Sequence, residues 1–175
     1  FHRPELTFWI SRGEDKLGRL LRIARKVDGS GIIYLRDRRG TVRIAQYLQQ
    51  YGISAEAYHA GLSFEERDRV QRAWTDGTTR FVAATNAFGM GIDKPDVRYV
   101  FHADLPGSLE AYYQEIGRAG RDGEAAEAAM LFGLGDIRMR RMFIDDEESS
   151  EDRKRREHQR LNALLAYAEA PECRR

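Results

Sequence analysis

The sequence predicts an α/β fold in which helices flank one doubly wound, mainly parallel sheet. Short β-branched or aromatic runs alternate with helical periodicity from about residue 6 to residue 144. Most of these runs are apolar enough to be covered on both faces, as the strands of a parallel sheet are. The 175 residues suit one ordinary domain with a core of its own, since a domain takes roughly 100–200 residues.

Leu6 to Ile10 reads as the first strand, and Lys16 to Val27 as a helix with Leu17, Leu20, Leu21, Ala24 and Val27 on one stripe. Gly31 to Leu35 is the second strand. Thr41 to Tyr51 repeats the helical stripe with Val42, Ala45 and Leu48 and stops at Gly52. After a strand from Ser54 to Tyr58, Ser63 opens a capping box with Glu66, Val70 and Trp74 share the core face, and Gly77 ends the helix. Strands follow at Arg80 to Ala84, Tyr99 to Ala103 and Ala128 to Phe132, with a helix around Tyr112 and Tyr113 before the last. Adjacent helical residues point about 100° apart, so at least one of these tyrosines packs inward, and core packing is preferred to a base-stacking pair.

Past Ile144 the composition changes. Asp145 to Asp152 holds six acids in eight residues and Arg153 to Arg156 is wholly basic, so residues 145–156 read as a solvated connector between a domain at 1–144 and a segment at 157–175. Glu157 to Ala168 carries Leu161, Leu164, Leu165 and Ala168 as an apolar stripe whose packing partner is expected to be missing.

Composition narrows the class of function. With 42% hydrophobic and 33% charged residues, mean hydropathy −0.63 and no apolar run near the roughly 20 residues of a membrane helix, no membrane partner is expected. Lysine plus arginine (29) balance aspartate plus glutamate (28), so nucleic-acid contact must come from a local patch. The single cysteine, Cys173, cannot form an internal disulfide, which fits a reducing compartment, cytoplasmic or nuclear.

Familiar nucleotide motifs fail. GEDKLGRL at Gly13 to Leu20 lacks the lysine and hydroxyl of a phosphate-cradling loop and lies in a helical stripe. Gly89 and Gly91 supply two glycines of a dinucleotide fingerprint, with Lys94 at the third position. MFIDDEE at Met142 to Glu148 has no phosphate loop to serve, and the histidines have no metal-ligand spacing to each other or to Cys173.

Two windows are specific. VAATNAFGMGIDKPDV (82–97) puts a glycine-rich loop directly after a strand, and QEIGRAGRDG (114–123) follows the Tyr-Tyr helix. Together they resemble motifs V and VI of superfamily 2 helicases, and AFGMGIDKPDVR with YYQEIGRAGRDG resembles the RecQ family in particular. The resemblance extends through IIYLRDR, AYHAGL and the terminal HQRLNALLAYAEAPECRR, and FHRPEL resembles the linker entering that family's second RecA-like domain. It implies a RecA-like second motor domain followed by the start of a zinc-binding subdomain, in an ATP-dependent 3′ to 5′ DNA helicase of repair and recombination. Another superfamily 2 helicase and a non-catalytic nucleic-acid-binding module are the alternatives.

By that resemblance Arg121 matches the arginine finger and Arg118 its partner; three residues apart, they can face one cleft. Gln114 matches a polar contact at the interdomain surface. Asp93 matches an acid facing the ribose or the cleft network, with turn capping as its alternative, and Gly91 lets the backbone approach a nucleotide or phosphodiester. Thr85 matches a grip on single-stranded DNA phosphates, or is simply a buried strand end. Arg38 matches the arginine of motif IV, although Leu35, Arg36 and Asp37 depart from the usual Cys-Asn-Ser. His59 and Gly61 read as a DNA-facing turn, or as a histidine satisfied by local backbone. ATP and Mg²⁺ are expected to be shared with a first RecA-like domain, which with single-stranded and duplex DNA completes the partners. Cys173 matches the first of four zinc cysteines, and zinc is not expected to be held by these residues alone.

Overall fold

The computed structural model describes residues 3–12, 15–26, 28–85, 88 and 92–169. Among the described residues, twelve elements run in the order β1 (Leu6–Arg12), α1 (Lys16–Lys26), β2 (Ser30–Tyr34), α2 (Arg38–Gln50), β3 (Ala55–Tyr58), α3 (Phe64–Thr75), β4 (Phe81–Ala84), β5 (Val97–His102), α4 (Leu109–Ile116), β6 (Ala126–Phe132), α5 (Leu134–Asp146) and α6 (Glu151–Glu169). The six strands form one sheet in the order β1-β6-β5-β2-β4-β3, with every pairing parallel.

Alternation along the strands divides the core in two. Ile32, Val82, Val100, Ala128 and Met130 face α3, α4 and α6. Ile33, Ala83, Phe101, Ala129 and Leu131 face α1 and α2. Burial on both faces explains why the central strands read as continuous apolar runs. The chain leaves β2 for α2 on one face and β5 for α4 on the other, so the carboxyl ends of these neighbouring strands flank a topological switch point.

Helix α2 begins at Arg38, before the expected Thr41, because the Asp37 side chain caps it by accepting the Gly40 amide at 2.6 Å. Ser63 caps α3 as expected, accepting the Glu66 amide at 3.1 Å. Larger corrections fall at the C-terminal side. The segment expected as a connector at 145–156 is largely helical, since α5 runs to Asp146 and α6 starts at Glu151. Ser150 Oγ accepts the Arg153 amide at 3.2 Å, and Glu151 and Asp152 sit in the first turn, where the helix dipole favours acids. Lys154 also reaches back to the Asp145 carbonyl at 2.8 Å and His158 to its carboxylate at 2.7 Å, tying α6 to α5. The apolar stripe of α6 likewise has its partner: Leu161, Leu164 and Ala168 are buried in the α4 side of the core, and the Tyr167 ring lies 5.8 Å from that of Tyr112.

Candidate functional site

The cleft between α3 and the end of α4 is built by backbone first. Gly117 caps α4, and Gly120 (φ +62°) and Gly123 (φ +83°) turn the chain through left-handed backbone. Two long-range bonds pin the turn: the Gly120 amide donates to Val97 at 2.9 Å and the Asp122 amide to Pro95 at 3.1 Å. Arg98 adds a 2.5 Å ion pair to Asp122 and a 2.8 Å bond to the Ala125 carbonyl. Its hydrogen bond holds the Asp122 carboxyl below the usual carboxylate range.

This frame sets Arg118, half-buried, and Arg121, exposed, along one cleft floored by Trp74 and Phe88 and closed by Lys94. Arg121 Nε donates to the Gly117 carbonyl at 3.3 Å. Tyr34 lies beneath Arg118; burial pushes its hydroxyl far above the usual range, against the opposing pull of the Arg118 guanidinium. Lys94 is 6% exposed, donates to the Thr75 carbonyl at 3.0 Å, pairs with Asp96 at 3.1 Å and lies 5.5 Å from the Trp74 ring centroid. Gln114 is exposed one turn before Arg118 on α4, and Asp93 is exposed between Ile92 and Lys94, which both line the cleft. Gly91 lies outside the described residues.

A second cluster forms at the carboxyl edge of the sheet. The Gly61 amide donates to His59 Nδ1 at 3.0 Å. A Cβ on Gly61 would stand 3.1 Å from Arg38 Nη1, so Arg38, His59 and Gly61 meet. Arg38, Arg39, Arg43 and His59 line one shallow surface. Thr85, half-buried, follows β4 beside β3: its amide donates to Tyr58 at 3.4 Å and its carbonyl accepts from Phe88 at 3.1 Å. Phe88 packs edge-on against Tyr58 and Trp74, joining this edge to the arginine cleft. The structure thus supplies the local-backbone role considered for His59, and Tyr112 is wholly buried, as core packing requires.

Two features escaped sequence reasoning. Lys94 was visible only as an interruption of a glycine pattern, whereas its buried ammonium closes the cleft. At the switch point a cavity of about 180 Å³ is lined by Tyr34, Arg36, His102, Asp104, Glu115 and Arg140. There His102 Nε2 pairs with Glu115 at 2.8 Å and the Arg36 amide donates to Asp104 at 2.7 Å. Burial, then the neighbouring Arg36, holds Arg140 below the usual guanidinium range. Among the described residues no three His, Cys, Asp or Glu converge as a metal site requires, and Cys173 lies outside them. No helix among the described residues is long and apolar enough to cross a membrane.

The sequence and fold have counterparts among known proteins. The helicase conserved C-terminal domain family matches residues 14–123, and the RecQ zinc-binding family matches residues 134–175. The chain is 41% identical over its whole length to the ATP-dependent DNA helicase RecQ of Pasteurella multocida, of which it spans 28%. It is 46% identical over 83% of its length to the RecQ-like DNA helicase BLM of Xenopus laevis, of which it spans 11%. Among solved structures it resembles the E. coli DEAD-box protein SrmB bound to regulator of ribonuclease activity A, with TM-score 0.68, 27% identity and coverage of 75% of this chain and 80% of that one. It also resembles the Mycobacterium smegmatis helicase Lhr bound to ssDNA and AMP-PNP, with TM-score 0.60, 25% identity and coverage of 71% and 19%. On both its folded core and its matched segments, the chain belongs to the RecQ family of superfamily 2 helicases, as its helicase C-terminal domain.

Proposed function

We propose that the chain is the second motor domain of an ATP-dependent 3′ to 5′ DNA helicase of repair and recombination, with Arg121 as its arginine finger. One observation carries the reading: Arg118 and Arg121 line a single cleft on a turn held from outside by Val97 and Pro95. Phosphoryl transfer spreads negative charge over the transferred group, and a guanidinium entering from a facing domain stabilises it. ATP with Mg²⁺, bound between this domain and a first motor domain, supplies the phosphoryl group. Arg121 is exposed and would exchange its 3.3 Å bond to the Gly117 carbonyl for the phosphoryl group across the gap, while the half-buried Arg118 stays in the cleft as its nearer partner. Gln114 and Asp93 flank the approach to the nucleotide, and Gly91 is assigned to it by the sequence resemblance alone.

The strand track is the carboxyl edge. Thr85 and neighbouring amides grip phosphates without reading bases, Arg38 adds an exposed charge, and the His59–Gly61 turn brings bare backbone close to the strand. Phe88, packed against both Tyr58 and Trp74, links this grip to the cleft. Closure and reopening of the two motor domains would then move the edge along DNA. Zinc needs four ligands, and by the sequence resemblance Cys173, the chain's one cysteine, supplies the first of them.

In the full-length parent, Arg121→Ala should lower DNA-stimulated ATP hydrolysis by about 10³-fold while ATP affinity stays within about twofold. The same assay on these 175 residues alone should show no turnover. Wild-type turnover by the variant, or hydrolysis by the isolated chain, would overturn the reading.

A further inference from the structure

We infer that Arg3 is a positioning residue for the arginine turn: its guanidinium clamps the carbonyls of Gly117, Ala119 and Gly120 and so sets where Arg118 and Arg121 stand. The inference rests on the reading of those two arginines as the groups that act on the nucleotide.

Arg3 precedes β1, more than a hundred residues from the turn it touches. Its Nη1 donates to the Gly117 carbonyl at 3.0 Å, and its Nη2 donates to Ala119 at 2.8 Å and Gly120 at 2.9 Å. Its Nε pairs with the Glu5 carboxylate, which leaves both terminal nitrogens aimed at the turn. The Glu5 carbonyl accepts the Ala126 amide at 3.0 Å, fastening the pair to the first residue of β6. With Arg3 and Glu5 side chains 21% and 18% exposed, these are sheltered contacts.

The chemistry suits the place. The carbonyls at a helix C-terminus lack intrahelical donors, and the negative end of the dipole favours a cation. A planar guanidinium presents several donors in a fixed fork, whereas a lysine ammonium is one point charge on a flexible stem. Left-handed backbone at Gly120 turns its carbonyl to the same side as that of Ala119, so one Nη2 serves both.

A direct link to the finger follows. The Gly117 carbonyl accepts from both Arg3 Nη1 and Arg121 Nε, at 3.0 and 3.3 Å. Arg3 competes with Arg121 for that carbonyl, so removing Arg3 leaves the carbonyl to Arg121 alone and tightens the contact that draws the finger back onto the turn instead of across the cleft. Arg3 therefore acts on the rate of the chemical step through Arg121 rather than on nucleotide binding.

The test is steady-state, DNA-stimulated ATP hydrolysis by the full-length parent protein carrying Arg3→Ala, Arg3→Lys, Arg121→Ala and the Arg3→Ala/Arg121→Ala pair, with melting temperatures alongside. Arg3→Ala should lower kcat about tenfold with KM for ATP within about twofold. It should add less than about twofold to the loss already caused by Arg121→Ala, the non-additivity of groups that act as a unit. Arg3→Lys should recover only part of kcat. Should Arg3→Ala lose its fold, Arg3→Lys decides alone: kcat reduced several-fold at near wild-type melting temperature supports the clamp, and wild-type kcat overturns it. Additive losses in the pair also overturn it. Normal turnover by Arg121→Ala would instead refute the finger reading, whatever Arg3 does.

Discussion

The arginine cleft and the carboxyl-edge cluster are held in place by opposite means. Around Arg118 and Arg121 the supports come from far along the chain, through Val97, Pro95, Arg98 and Arg3, and the floor is the buried Trp74 and Phe88. Around Arg38 and His59 the supports are short-range: the Asp37 cap, the His59–Gly61 bond and the Ser63 cap. The first arrangement fixes charge against a rigid wall, as stabilisation of a small transferred group requires. The second leaves long cations on an exposed surface, which suits a polymer gripped repeatedly and without sequence preference.

The largest test of that contrast is the floor itself. Trp74 is 1% exposed and its indole nitrogen donates to the Gly31 carbonyl at 3.1 Å, so Trp74→Ala removes core volume and a buried bond together. Denaturant unfolding should show a loss of about 3–5 kcal/mol. Val42, expected on the core-facing stripe of α2 but 37% exposed on the surface shared with Arg38 and His59, with Thr41 and Ile44 buried instead, is the comparison; Val42→Ala should cost less than about 0.5 kcal/mol. Similar losses at the two positions would erase the distinction.

The glycines give a smaller contrast. Gly120→Ala forces a side chain into φ +62° with its Cβ 3.1 Å from the Glu124 carbonyl and 3.2 Å from Ala126 Cβ, a cost of about 1–2 kcal/mol. At Gly61 the nearest atoms to a new Cβ belong to the side chains of His59 and Arg38. Gly61→Ala should leave the melting temperature nearly unchanged while displacing those side chains, read as weaker single-strand binding by the parent.

The same division decides what the sequence could disclose. GRAGRDG is legible as a string because its glycines and arginines are contiguous, yet no local pattern points to Arg3 or Arg98, whose partners are distant. Strand positions were legible because burial on both faces leaves continuous apolar runs, as at Ile32–Ile33 and Val82–Ala83. The start of α6 was not, because a run of acids followed by a run of bases is also what a solvated connector looks like. The Ser150 cap and the contacts to Asp145 distinguish the helix. Lys94 has the composition of a surface residue, and its burial depends on the Thr75 carbonyl and Asp96 arriving together.

The smallest effect tests whether the long-range supports of the turn are electrostatic. Asp122 is held below its ordinary value chiefly by the Arg98 hydrogen bond, so its contribution to stability is present above the unfolded-state value, about 3.9, and is lost as pH falls through the lower folded value. Asp122→Asn should therefore be less stable than the wild type near neutral pH, with the gap closing as pH drops below about 4. Because the pair is partly solvated, with Arg98 and Asp122 side chains 17% and 29% exposed, the gap should also narrow in high salt. Chemical-denaturation curves for both proteins across pH 2–7 measure it. A gap that persists unchanged at low pH would assign Asp122 a shape-filling role, its backbone bond to Pro95 carrying the turn without the charge.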